Sequence, residues 1–142
     1  MSNEPLSCGE LLKRINDIFE KKANNELSEN GITFSQLKIL AKLSCSPDGS
    51  FTLKELERIF GVTQATIAGI AVRLEKKHLV KGYIDSDDRR IKHISILPEG
   101  RKVCDDAKES MKKCEQWLLD SLDENEQNEL RYLFQKIYDN IR

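Results

Sequence analysis

The chain has 142 residues, 33% charged and 39% apolar, with a formal net charge of −1, the profile of one soluble domain long enough to bury a core. No apolar run approaches the roughly 18 to 20 residues of a membrane span, and the polar, acidic start MSNEPLSCGE is unlike a charged-then-apolar leader. The near-neutral total hides a gradient: residues 52–93 carry nine Lys/Arg against six Asp/Glu, while residues 1–51 and 94–142 are each net negative, a modest excess that only supports a nucleic-acid reading of the middle segment.

In chain order, Leu11, Leu12, Ile15, Ile18 and Phe19 share one face of a helix predicted over 9–27, with Lys13, Arg14, Lys21 and Lys22 spread outside it. Asn30-Gly31 breaks that pattern. Thr33 with Gln36 three residues on is a capping box, opening a helix through Leu37, Leu40 and Leu43. Ser46-Pro47-Asp48-Gly49-Ser50 reads as a loop. Thr52 with Glu55 opens a short helix carrying Leu53, Leu56, Ile59 and Phe60 at core spacing, until Gly61 interrupts it. Thr63 starts another, whose Ile67, Ile70, Ala71 and Leu74 dock on the first. Two helices around a short Gly-containing turn make a helix-turn-helix, whose second helix can enter a DNA major groove.

Lys81-Gly82-Tyr83, the charged run IDSDDRRIKH and Ile94-Ser95-Ile96 then read as a β-hairpin with Ile94 and Ile96 facing inward. A hairpin directly after a recognition helix is placed as a wing. Pro98 suits the first position of a helix running to about Leu122, with Val103, Ala107, Met111, Cys114 and Leu118 as its stripe and Trp117 alongside. Asp123 with Glu126 caps a last helix that sets Leu130, Leu133, Phe134, Ile137, Tyr138 and Ile141 on one side. The striped helices outside the helix-turn-helix present more apolar surface than so small a unit can cover, so a two-fold dimer of the terminal helices is expected.

At this point the chain resembles the MarR family of winged-helix transcriptional regulators. The most specific piece is LEKKHLVKGYIDSDDRRIKHISI, which looks like that family's wing signature, and LDENEQNELRYLFQKIYDNI is similar to its closing dimerisation helix. The resemblance implies a mainly α fold with a small β-hairpin: a winged helix-turn-helix DNA-binding lobe at 33–97 between dimerisation helices at 9–30 and 98–142. It also implies that Arg90 enters a DNA minor groove while Asp88 helps hold the wing. Four departures from the family pattern stand out, one of them a residue pair. His78 stands where Gly is usual, at a site expected to need a left-handed backbone. Gly82-Tyr83 replaces a frequently basic pair, Glu57 takes a commonly small position, and Gly69 replaces a frequent Arg.

At about 100° per residue, the outward face of the recognition helix is Ala65, Gly69, Val72 and Lys76, flanked by Thr66 and Arg73 on one side and Ala68 on the other. Gln64 sits in the first turn, where base edges are met. Gln can pair bidentately with adenine and Ala can touch a thymine methyl, so a palindromic, A·T-leaning double-stranded DNA partner is expected. Thr66, Arg73 and Lys76 suit phosphates, and Arg90 with Arg89 suits a narrow minor groove. The small outward face also fits a winged-helix protein-interaction module, and Asp88 with Arg90 alone fits a solvated turn; the wing-tip arginines, their place after the recognition helix and the local positive excess favour DNA.

The resemblance further implies a repressor released by a small aromatic or phenolic effector, for which Phe34, Trp117 and Tyr132 are candidates; each also reads as core. Some family members sense oxidants through a cysteine in the first helix, and Cys8 lies near that region, although Glu4 and Glu10 are its nearest charges. An inert Cys8 is therefore the preferred reading and a redox-sensing Cys8 the alternative, and Cys114 falls on a core stripe. Cys45 and Cys104 carry no signal, and neither the cysteines nor His78 and His93 have metal-ligand spacing. No phosphate-cradling glycine loop or nucleophile elbow is visible. A cytoplasmic regulator without metal, cofactor or enzymatic activity is the expectation.

Overall fold

The computed structural model describes residues 4–142. In order it contains α1 (Cys8–Leu27), a 3-10 turn (Ser28–Asn30), α2 (Phe34–Cys45), β1 (Ser50–Thr52), α3 (Leu53–Phe60), α4 (Gln64–Lys76), β2 (Val80–Ile84), β3 (Lys92–Ile96), α5 (Pro98–Leu118) and α6 (Glu124–Ile141). The helix starts follow local chemistry. Thr33 with Gln36, Thr52 with Glu55 and Asp123 with Glu126 each form both bonds of a capping box, and each cap is worth about 1 kcal/mol. Pro98 opens α5, where a missing N–H costs nothing.

Two left-handed residues shape the reading head. Gly61 (φ 62°) closes α3 and donates to Glu57 O at 2.8 Å, making the tight turn into α4. His78 (φ 60°) is the one non-glycine residue with positive φ among the described residues, as the sequence position led us to expect. Around it, His78 N–H bonds Glu75 O (2.9 Å) and Leu79 N–H bonds Leu74 O (3.1 Å), which is the Schellman pattern that turns α4 out into β2.

The strands form one antiparallel sheet in the order β1-β3-β2, with Phe51 opposite Ile94 and Val80 opposite Ile96. The expected hairpin is therefore two-thirds of a three-stranded sheet, and the expected loop through Ser50 ends one residue earlier. Ser50 pairs with Ser95, a partner too distant in sequence for local turn signals to reveal. Helix α5 stops at Leu118 rather than near Leu122; Leu119 caps it, and Leu122 N–H bonds Leu119 O at 3.0 Å.

The core lies between α2, α3, α4, β3 and α5. Leu40, Leu43, Leu56, Leu74, Ile94 and Ala107 are completely buried there, each leucine contributing about 2 kcal/mol of burial. Ile94 and Ile96 point inward as the alternation predicts, but Ile59 of α3 is 42% exposed rather than core. Outside this core, α6 has no buried residue. Its Leu133, Phe134, Ile137 and Tyr138 are exposed, as are Leu11, Leu12, Ile15 and Ile18 of α1.

Candidate nucleic-acid interface

The wing tip between β2 and β3 is folded by two aspartates. Asp85 accepts the backbone N–H groups of Asp87 (3.1 Å) and Asp88 (3.0 Å) on one oxygen, and His93 Nε2 (2.8 Å) on the other. Asp88 accepts Arg90 three times: the backbone N–H and Nε on Oδ1 (3.0 and 3.1 Å), and an Nη on Oδ2 (3.0 Å). The bond from Arg90 holds the Asp88 carboxyl below the usual carboxylate range, and the His93 bond, aided by the two turn amides, does the same for Asp85. Arg90 is thus fixed from behind while its side chain stays 90% exposed. The base of the wing is stiffened by Tyr83, whose ring stacks on His93 at 4.9 Å and whose hydroxyl lies 3.1 Å from Ser50 Oγ.

On α4, the cap Thr63 accepts Thr66 N–H at 3.2 Å, and the two hydroxyls are 2.9 Å apart. Gln64, Ala65, Thr66, Val72, Arg73 and Lys76 are exposed and Gly69 is half-buried, so the outward face is the one its periodicity predicts. A groove runs between α3, the start of α4 and the wing, lined by Thr52, Lys54, Glu57, Gln64, Asp88 and Arg90 among others. It brings Gln64 and Arg90 to one surface. A second cleft places Ala65, Thr66, Gly69 and Arg73 against Thr33 and Ser35 of the α2 start. Arg89 stands apart from both, beside Ile84, Asp85 and Ser86 on another side of the tip.

Sequence reasoning missed several contributors. Lys54 and Glu57 share the groove with Gln64; the capped start of α3 marks Lys54 as exposed but not where it faces. Asp85 and His93 organise the wing, and their eight-residue separation becomes meaningful only once the hairpin register is known. Gly82 has a packing reason: a Cβ there would overlap Glu75 and Lys92, which pair across it at 3.1 Å.

Residues 32–92 match the MarR family model. The multiple antibiotic resistance protein MarR of Salmonella typhimurium is 27% identical over 136 residues, 95% of this chain and 93% of that protein. The chain resembles the MarR family over that segment and along most of this relative. The HTH-type transcriptional repressor MdtR of Bacillus subtilis is 29% identical over 100 residues, covering 70% of this chain and 61% of that protein. Among solved structures, a cysteine-to-serine mutant of Escherichia coli MarR complexed with operator DNA superposes with a TM-score of 0.80 at 25% identity, over 91% of each chain. The protein is a transcriptional regulator.

The remaining candidate residues are dispersed. Phe34 packs edge-on against Phe19 (5.7 Å between centroids), and Trp117, 44% exposed, lies beneath Lys22 at 5.5 Å. These two flank α1, whereas Tyr132 lies on the exposed face of α6, in a cleft lined by α6 residues alone. Cys8 is the exposed first residue of α1, and its neighbour Glu10 is bonded to Arg14 at 2.8 Å. Cys104 and Cys114 are buried, and burial pushes both thiols up. Among the described residues, no three His, Cys, Asp or Glu side chains gather where they could hold a metal ion. No described helix is long and apolar enough to cross a membrane.

Proposed function

We propose that this regulator is a cytoplasmic homodimeric repressor of the MarR family that binds a palindromic, A·T-leaning operator and leaves it when a small aromatic or phenolic effector binds. The observation that carries the DNA reading is the groove uniting Gln64 with an exposed Arg90 held by Asp88. In the dimer, two α4 helices enter successive major grooves roughly 34 to 36 Å apart. Gln64 meets adenine edges and Ala65 a thymine methyl. Thr66, Arg73 and Lys76 neutralise or bond phosphates, while Arg90 lies in the flanking minor groove and Arg89 meets the backbone beside it. The operator complex of Escherichia coli MarR and the name of the Bacillus repressor support DNA binding and repression.

Effector release follows from population shift: a ligand favouring a dimer whose helices no longer match the half-site spacing lowers operator affinity by its differential affinity for the two states. Phe34 and Trp117, both against α1, are the side chains placed to feel such a ligand.

The test is a salt titration on palindromic and scrambled duplexes. A phosphate-contacting dimer gives a steep negative slope of log K against log salt and a preference for one sequence. Salt-insensitive binding, or equal affinity for both duplexes, removes this reading in favour of a protein-interaction module.

A further inference from the structure

The end of α4 is tied to the root of the dimer helices through one lysine that faces away from the groove. Lys77 Nζ donates to Gly31 O at 2.7 Å and to Gln36 Oε1 at 2.8 Å, spanning 46 and 41 residues of sequence. Both acceptors belong to a constrained joint. Gly31 is the left-handed residue (φ 71°) ending the 3-10 turn that follows α1. Gln36 is only 4% exposed, and the same Oε1 accepts Thr33 N–H at 3.2 Å in the capping box that starts α2. Asn24 of α1 adds a bond from Phe34 N–H at 2.7 Å, so α1 and α2 are already locked where the lysine arrives. At the other end, Lys77 is the C-cap of α4, immediately before the strained His78.

We propose that Lys77 is a positioning residue for operator recognition: it clamps the recognition helix to the α1–α2 joint and so sets how far apart the two α4 helices stand in the dimer. This rests on the DNA-binding dimer proposed above. Its neighbour Lys76 points outward as a phosphate contact; Lys77, although its residue is exposed, directs its ammonium to the Gly31 carbonyl at the surface and to the buried Gln36 amide, and acts on DNA only through the helix it anchors. A charge-assisted bond joining two packed layers restricts their relative tilt far more than a solvated lysine does. Losing it broadens the distribution of helix separations, so fewer molecules match one half-site spacing.

The experiment compares wild type with Lys77→Met, Gln36→Leu, their double variant and Lys77→Arg. The DNA probe is a palindromic duplex selected by wild-type protein from a random library, together with the same duplex altered by one base pair between half-sites. In free protein, Lys77→Met and Gln36→Leu should each speed amide hydrogen exchange across 31–37 and 73–79. On DNA, Lys77→Met should lower affinity roughly tenfold with the wild-type salt slope, and shrink the discrimination between the two spacings. The double variant should lose little beyond either single one, and Lys77→Arg, which keeps charge and donors, should retain most of the discrimination. A salt slope reduced by about one in Lys77→Met, with Gln36→Leu binding as wild type, would make Lys77 a phosphate contact and overturn the proposal. Unchanged exchange in both single variants would equally overturn it, and is read without DNA. Failure of the wild-type protein to select any duplex instead removes the DNA reading itself, and the exchange data then judge the clamp alone.

Discussion

Arg90 owes its place to Asp88 more than to its own rotamer preferences. A free arginine 90% exposed on a loop would sample many conformers, each costing entropy on binding. Two side-chain bonds to one carboxylate, which also accepts the Arg90 backbone N–H, remove most of that freedom beforehand. Arg90→Ala should therefore weaken operator binding by roughly ten- to hundredfold while leaving the oligomeric state unchanged, measured by fluorescence anisotropy and light scattering. Asp88→Ala should also weaken binding, although it removes a negative charge from a DNA-facing surface; a gain in affinity would mean that pre-organisation of Arg90 contributes nothing. The same carboxylates give the wing an acid limit. Both Asp85 and Asp88 titrate below the ordinary 3.8 in the folded chain. Their contribution to wing stability is thus complete above that value and is lost as pH falls through the depressed folded values. Amide NMR shifts of Asp87, Asp88 and Arg90 should stay constant from neutral pH down to about 4 and move together only below it. A transition centred at or above the ordinary 3.8 would remove the two aspartates from this role.

At the scale of elements, the exits of the helices carry testable strain. His78 pays for a left-handed backbone, about 1 kcal/mol for an L-residue, so His78→Gly should raise stability by roughly that amount in urea unfolding, and His78→Val should lower it by more. Gly100 is the opposite case. A Cβ there would overlap the Leu79 carbonyl, whose oxygen also accepts Leu97 N–H at 2.9 Å. Gly100→Ala should then destabilise by roughly 1–3 kcal/mol, despite alanine's better helix propensity. These elements differ in how legible they were beforehand. The capping boxes at Thr33, Thr52 and Asp123 lie within three residues of their partners, so their spacing alone predicts them. The left-handed His78 was legible because it stands where the family pattern has glycine, within the three residues that link α4 to β2. By contrast, β1 is three residues long and depends on pairing with β3 more than forty residues later, and turn-rich flanks hide it. The outward face of α4 follows from periodicity, yet nothing local reveals that Lys76 and Lys77 serve opposite directions. That division exists only because the α1–α2 joint packs behind α4.

At the scale of the molecule, α6 is the element the protomer does not explain. An isolated helix of 18 residues is marginal in water, yet α6 has no buried residue to stabilise it, and its Leu133, Phe134, Ile137 and Tyr138 are each about half exposed or more. The α1 face formed by Leu11, Leu12, Ile15 and Ile18 is in the same condition. A second copy of the chain would cover both, since a two-fold interface repeats the same apolar faces on each side, and long helices can supply the ~1,200–2,000 Å² that a stable association requires. The double variant Leu133→Glu/Ile137→Glu should accordingly be monomeric by light scattering and show reduced helix content by circular dichroism, because an uncovered α6 frays. Its reading head should survive: the wing bonds and the α2–α4 core involve no α6 residue, so wing amide shifts should match wild type. Operator affinity should nevertheless fall by roughly 100-fold or more, the loss expected when two tethered half-site contacts become one. A variant that stays dimeric would move the interface elsewhere. One that turns monomeric but binds the operator undiminished would show that a single lobe suffices, and the palindrome would then have no role in recognition.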